Sequence, residues 1–493
     1  MQCLLGMAAS FAGPALLLFA LTGCATNPAT GRSDFVTMSE QQEIATGEQV
    51  NREVLQQYAV YQDAALQTYV NGVGQRVATH GHRPGLSYRF TVLDSPETNA
   101  FALPGGYIYI TRGMLAYLNS EAELAAVLGH EVGHVTARHS VRQQSTAQVT
   151  SLGAGLLSIF VPQLGQVGRQ AVSLLGTALV RGYGREHELE ADRLGAEYLV
   201  RSGYDPGAVI DVLRTLKAQE ALDQQLAQLE GRQPRAYHGL FSTHPDSDTR
   251  LREAIDHART VLGSAPATPQ VGRDRFLDEI DGLVIGNNPA EGVVRGHSFM
   301  HPELDFVLAF PDGWSIENQP NRLVATEPAG RAQMQVSLVG ATQDETPEAV
   351  LQRLGVREFV QGKRLTIAGH PAVSGFTRVT VQGVARVARI SVIRRGPQQA
   401  FILTGLTARE QDLPSLDPVF VEVARSFRAL TDKERSGIRP RRLRVADLEG
   451  PVTWASLAKA SGLKRLPEAQ LKVLNAAAPA DAAPVHKRIK LIE

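Results

Sequence analysis

The chain has 493 residues, enough for two to four domains and an ample core. Lys plus Arg and Asp plus Glu each number 50, giving zero net charge with neutral His, which argues against nucleic acid as a partner. Apolar residues at 43% and sparse aromatics at 6% describe globular rather than disordered chain.

No charged residue precedes Arg32. An apolar stretch from Phe11 to Leu21 runs into Leu21-Thr22-Gly23-Cys24, which resembles the lipobox of a bacterial lipoprotein. That resemblance implies a signal peptide over residues 1–23, cleavage before Cys24, and lipid on the Cys24 sulfur. The first four residues, Met1-Gln2-Cys3-Leu4, carry no Lys or Arg, so an uncleaved weak anchor is the alternative. Cys3 and Cys24 are the only cysteines, so removal of the leader leaves no disulfide and no Cys-based metal site. The resemblance to Gram-negative lipoproteins implies, from Ala25 and Thr26 with no Asp after the cysteine, an anchor in the outer membrane facing the periplasm.

Residues 24–37 read as a polar tether. Ser39 with Gln42 caps a helix to about Tyr58, and a second helix covers about Asp63 to Ala78. Tyr88, Phe90 and Val92 alternate as a strand, followed by Asn99–Thr111, whose Leu103-Pro104-Gly105-Gly106 turn precedes a Tyr107–Ile110 strand. An edge strand at this place is expected to pair with extended substrate. Ser120 and Glu123 then form a capping box for a helix whose apolar face is Leu124, Val127, Leu128, Val132 and Val135. This helix carries His130-Glu131-Val132-Gly133-His134, an H-E-x-x-H motif. The two histidines are i and i+4, so both imidazoles project from one side and can share Zn²⁺ at about 2.0–2.1 Å. Glu131 lies beside them as general base toward a metal-activated water.

A catalytic zinc needs a third protein ligand and an open position. The candidate is Glu188 in Glu186-His187-Glu188-Leu189-Glu190-Ala191-Asp192, with Asp192 at i+4; one carboxylate can bind metal while the other accepts a hydrogen bond from a ligand histidine. His139 and His187 are expected at the surface, since helical spacing points them away from the ligands. Residues 143–168 hold no charged side chain and read as a buried or lid hairpin, with membrane contact as the alternative. Asp205-Pro206 starts a long helix to about Glu230, and Thr243-His244-Pro245 follows.

H-E-x-x-H followed by E-x-x-A-D, with the Asn99–Thr111 and Thr243-His244-Pro245 segments, resembles peptidase family M48 in its BepA-like periplasmic branch, over roughly residues 35–260. The resemblance implies a mostly helical zincin-type metallopeptidase domain with a small sheet over residues 38–263, holding one Zn²⁺ per chain. It further implies that His244 acts as a reversible fourth ligand or a donor to the tetrahedral oxyanion; a plain loop histidine is the third option. Gly184 stands where the family often has Ser, outside the ligand set.

Residues 264–274, with Pro266 and Pro269, read as a linker to an α+β domain over 275–430 that resembles PsbP/Mog-like modules. Residues 437–493 resemble a LysM module in order, strand, helix, helix and Asn, although Glu449-Gly450-Pro451-Val452-Thr453 lacks its usual Asp. Peptidoglycan binding and a structural remnant both fit that departure.

The whole is expected to be an α+β, lipid-anchored zinc metalloendopeptidase that hydrolyses misfolded or misassembled cell-envelope proteins. His130, His134 and Glu188 hold the metal, Glu131 and His244 act in catalysis, and Asp192 orients a ligand. A latched or inactive scaffold acting as an assembly chaperone would bind substrate without needing zinc. A peptidoglycan-associated binding protein would be pulled down through residues 275–493.

Overall fold

The computed structural model describes residues 24–146, 183–230, 253, 260, 268–319, 322–381 and 384–493. The leader, most of the uncharged run after the H-E-x-x-H segment, and Thr243-His244-Pro245 lie outside the described residues. The chain forms two compact units. The first draws on described residues up to Leu55, then Val60–Ile285 and Arg441–Glu493; the second on Gln56–Ala59 and Gly286–Pro440. Among the described residues, no helix is long and apolar enough to cross a membrane.

The first unit opens with a short β1–β2 pair, Cys24–Thr26 against Ser33–Phe35. Helices α1 (Glu40–Gln57) and α2 (Ala64–Ala78) follow, the second capped by the Asp63 carboxylate on the Leu66 N–H. Strands β3 (Arg89–Leu93), β4 (Ala100–Leu103) and β5 (Tyr107–Thr111) form a sheet in the order β3-β5-β4. β5 runs parallel to β3 and antiparallel to β4, and is buried throughout. The Tyr107–Ile110 strand is therefore the centre of the sheet, with both sides already paired. The outer strands are Arg89–Leu93 and Ala100–Leu103.

Helix α3 (Arg112–Tyr117) leads to α4 (Glu121–Thr136), and α5 (Arg185–Arg201), α6 (Ala208–Glu230) and α7 (Arg273–Ile280) complete this part with the short β6 (Val284–Ile285). The linker expected at 264–274 does not end the unit. Phe276, Leu277 and Ile280 are each 0% exposed and join the same core as Val70, Leu128 and Leu199. The Pro-rich composition marked a boundary, but the apolar stripe of α7 decides where the chain belongs.

The second unit contains the small sheet β7 (Val293–Arg295), β8 (Ser298–His301) and β9 (Phe306–Ala309). Strands β10 (Ser315–Gln319), β11 (Arg322–Thr326), β12 (Ala332–Gly340), β13 (Val360–Ile367), β14 (His370–Val381), β15 (Val384–Arg395) and β16 (Gln399–Thr407) build a seven-stranded antiparallel sheet. Helix α8 (Pro347–Arg353) follows β12 in sequence and precedes β13, and α9 (Leu413–Arg425) sets Phe420 on Gly405 of β16, where the ring leaves no room for a Cβ. A short α10 (Asp432–Gly437) ends this α+β unit.

The tail returns to the first unit as β17 (Arg441–Asp447), α11 (Trp454–Ala460), α12 (Pro467–Leu474) and β18 (Arg488–Ile492). β17 pairs antiparallel with both β18 and β6, and Leu443, Leu474 and Ile492 enter the core around α4. Asn475 is spent on structure: its amide donates to the Leu471 and Lys490 carbonyls at 2.9 Å, and its carbonyl accepts from the Lys490 N–H at 2.8 Å. The Lys490 ammonium, fully buried, donates to the Ala116 and Leu118 carbonyls at 2.7 Å.

Burial pushes the nearby Glu123 carboxyl up to about 7 and the Lys490 ammonium well below its usual range. A raised folded-state pKa gives stability that is full below the ordinary Glu value near 4.5 and lost as pH rises through about 7. Lys490 has the opposite sign: its contribution is present above the ordinary lysine pKa and lost as pH falls through the depressed one. Melting temperatures are expected to fall between about pH 5 and 7 in the wild type and to flatten in Glu123→Gln, as thermal scans across that window would reveal.

Candidate metal centre

Helix α4 begins where Ser120 Oγ accepts the Glu123 N–H at 3.1 Å. The return bond is displaced by one residue, for Glu123 Oε2 accepts from the Asn119 N–H at 2.8 Å. Every residue of α4 is buried, which suits a helix clasped on all sides rather than a surface amphipath. Helix α5 crosses it at glycines: a Cβ on Gly133 would sit 3.0 Å from the Ala191 carbonyl, and one on Gly195 3.0 Å from the His130 nitrogen. This contact of backbone on backbone brings the first turn of α5 over the two histidines. Gly195→Val is expected to destabilise the chain by about 1–3 kcal/mol through overpacking. Thermal melts and zinc content should fall together in that variant.

The structure brings His130, His134 and Glu188 together. Their ligating atoms all lie within 4.8 Å of one another. His130 Nε2 is 3.0 Å from His134 Nε2, and the Glu188 oxygens lie 3.5 Å from the former and 3.6 Å from the latter. Two ring nitrogens and a carboxylate facing one buried point repel each other unless a cation or a proton lies between them. The set fits Zn²⁺, which takes imidazole and carboxylate donors and keeps a further position for substrate. Asp192 Oδ1 lies 2.8 Å from His130 Nδ1, on the side of that ring away from His134 Nε2 and Glu188. Glu131 is 0% exposed, between the two histidines in sequence. His244 lies outside the described residues, and Cys24 falls in β1.

His139 departs from expectation. It is 0% exposed, with its Nδ1 2.8 Å from His134 Nδ1 and its Nε2 3.0 Å from Glu190 Oε2. The surface placement assumed a continuous helix. α4 instead ends at Thr136, and Arg138 takes a left-handed φ of 55°, turning the chain so that His139 swings back beneath His134. Sequence reasoning also passed over Tyr183, which stacks on His134 with centroids 4.0 Å apart, and Glu190, which accepts from Arg142 at 2.9 Å. Only the charge of Glu190 two residues past Glu188 hinted at a role, and the period of the helix set it on a different face. His187 is half-buried and stacks on His139 at 4.4 Å rather than standing in solvent. Burial, then the neighbouring His139, holds its imidazole down to about 4. Burial also lowers His139; against burial, hydrogen bonds from His139 and Arg142 hold Glu190 down to about 2.

An H-E-x-x-H helix facing a carboxylate on the helix that crosses it defines a domain of the metallopeptidase class. Residues 64–258 match the model of Peptidase family M48. The chain is 32% identical over 260 residues to the Beta-barrel assembly-enhancing protease of Escherichia coli strain K12, covering 51% of this chain and 50% of that protein. It is 29% identical over 231 residues to the Mitochondrial metalloendopeptidase OMA1 of Schizosaccharomyces pombe, covering 46% of this chain and 64% of that one. The chain thus spans about half the length of the bacterial relative. Among solved structures, cyanobacterial PsbP (CyanoP) from Synechocystis is 17% identical over 28% of this chain, with a TM-score of 0.23, a likeness too slight to assign a fold.

Proposed function

We propose that this chain is a zinc metalloendopeptidase acting on misfolded or misassembled proteins of the cell envelope. The observation that carries the reading is the buried convergence of His130, His134 and Glu188, with Glu131 on the same helix turn. His130, His134 and Glu188 would hold Zn²⁺, which when bound supplies Lewis-acid polarisation of the scissile carbonyl. Glu131 takes the proton of the attacking water and delivers it to the leaving amine. Asp192 holds His130 in the tautomer that presents Nε2 to the metal. The edge of β4, close to α4, is suited to pairing with an extended substrate, a role the paired β5 is barred from. His244 remains the candidate for a reversible fourth ligand or oxyanion donor, and Cys24 for lipidation at the outer membrane.

The name of the Escherichia coli relative, an enhancer of β-barrel assembly, supports envelope proteins as substrates. Cleavage of an unfolded model protein by the chain lacking residues 1–24, with bound zinc quantified and chelator as control, tests the activity. Zinc-dependent cleavage is the expected result. Bound zinc with no cleavage would favour a latched scaffold, and no zinc at all would end the catalytic reading.

Beside Glu131 and His130 a cleft of about 30 Å³ is lined by Val127, Val209, Val212, Leu213 and Leu216. Its apolar walls favour an aliphatic over a charged side chain next to the scissile bond. In a peptide series, Ala or Val at one position flanking the cut should exceed Asp or Lys by at least about tenfold. A flat profile would remove the cleft from substrate selection.

A further inference from the structure

We propose that His139 and Glu190 form a positioning relay that holds His134 with its proton on Nδ1 and its Nε2 lone pair toward the metal. The inference rests on the zinc reading above and concerns residues outside the ligand set. Two imidazole nitrogens 2.8 Å apart, as His134 Nδ1 and His139 Nδ1 are, must share one proton, so one donates and the other accepts. The partner on the far side of His139 decides which. Its Nε2 faces Glu190 Oε2 at 3.0 Å, and a carboxylate can only accept, so Nε2 carries the proton. A neutral His139 then has a bare Nδ1, which accepts from His134 Nδ1–H. His134 Nε2 is left unprotonated on the ligand side.

The reverse arrangement fails at both ends. A proton on His139 Nδ1 would set a bare Nε2 against a carboxylate and force the His134 proton onto Nε2, where it would block the metal. A doubly protonated His139 avoids the first conflict only by placing a cation in a fully buried position.

The relay is itself braced. Arg142 Nη1 donates to the same Glu190 oxygen at 2.9 Å, and its Nε lies 3.3 Å from Asp34 Oδ2. His187 stacks on one ring of the pair and Tyr183 on the other. One helix, α5, thus serves both ligand histidines: Asp192 orients His130 directly, and Glu190 orients His134 through an intervening imidazole.

The test compares zinc affinity, by chelator competition, in wild type, His139→Leu and His139→Asn, each checked by thermal melting of the metal-free chain. Leu removes the acceptor, whereas the Asn carbonyl falls where Nδ1 stood. The expected result is zinc binding weakened by about 10–100-fold in His139→Leu and largely restored in His139→Asn, at similar melting temperatures. In ¹⁵N-histidine spectra of the zinc-loaded wild type, His139 should be the neutral Nε2–H tautomer; this reading decides the matter even if His139→Leu fails to fold. Equal zinc affinity in wild type and His139→Leu, or a proton on His139 Nδ1, would overturn the relay while leaving the peptidase reading intact. A wild type that binds no zinc would overturn both.

Discussion

Glu131→Gln is expected to lower peptide-bond hydrolysis by on the order of 10²–10⁴-fold while zinc content stays at the wild-type level. The substitution keeps shape and volume in a position that is 0% exposed, so packing of α4 is preserved. It removes the one property the reaction needs there, the ability to take up a proton and give it back. Zinc retention separates this effect from a collapsed site, because His130, His134 and Glu188 are untouched. Rates on an unfolded protein substrate, measured beside metal content in the same preparation, make the check. Full activity in the variant would exclude Glu131 from the chemistry.

The second large effect is expected from deletion of residues 441–493. A detachable glycan-binding module could be removed at no cost to the peptidase. Here the tail instead carries Leu443, Leu474 and Ile492 into the core that surrounds α4. At about 1.5–3 kcal/mol for each fully buried aliphatic side chain, these three alone contribute roughly 5–9 kcal/mol. That is comparable to the whole stability of an ordinary domain, about 5–15 kcal/mol. The deletion also takes away the Lys490 ammonium from the Ala116 and Leu118 carbonyls, leaving two buried acceptors bare. The truncated chain should be aggregated or rapidly degraded by added protease, with no cooperative melt for the first unit. A truncated chain that melts like the full one and still binds zinc would show that the tail is dispensable.

What was legible in the sequence was what local rules control. The i, i+4 spacing of His130 and His134, the Ser120 cap and the Glu188 and Asp192 pair each follow from the period of one helix, and the structure sets the three ligand candidates within 4.8 Å. The alternation of the second unit likewise announced strands such as Arg322–Thr326. What escaped depends on contacts between elements far apart in the chain. Nothing local tells that β5 is flanked on both sides, or that α7 and the tail complete the core of the first unit. His139 was lost to a single backbone angle, the φ of 55° at Arg138, a residue with no glycine to signal it. Its burial against His134 became visible only with the turn in place.

The route taken by the chain also sets a timetable. A ribosome delivers α4, with its histidines, long before β18, yet Lys490 and Ile492 are among the groups that close the unit around it. Domains generally fold as their segments emerge, N-terminal ones first. Here the first unit cannot be completed until the whole of Gly286–Pro440 has been made. The core around α4 thus closes only with residues supplied from the far end of the chain.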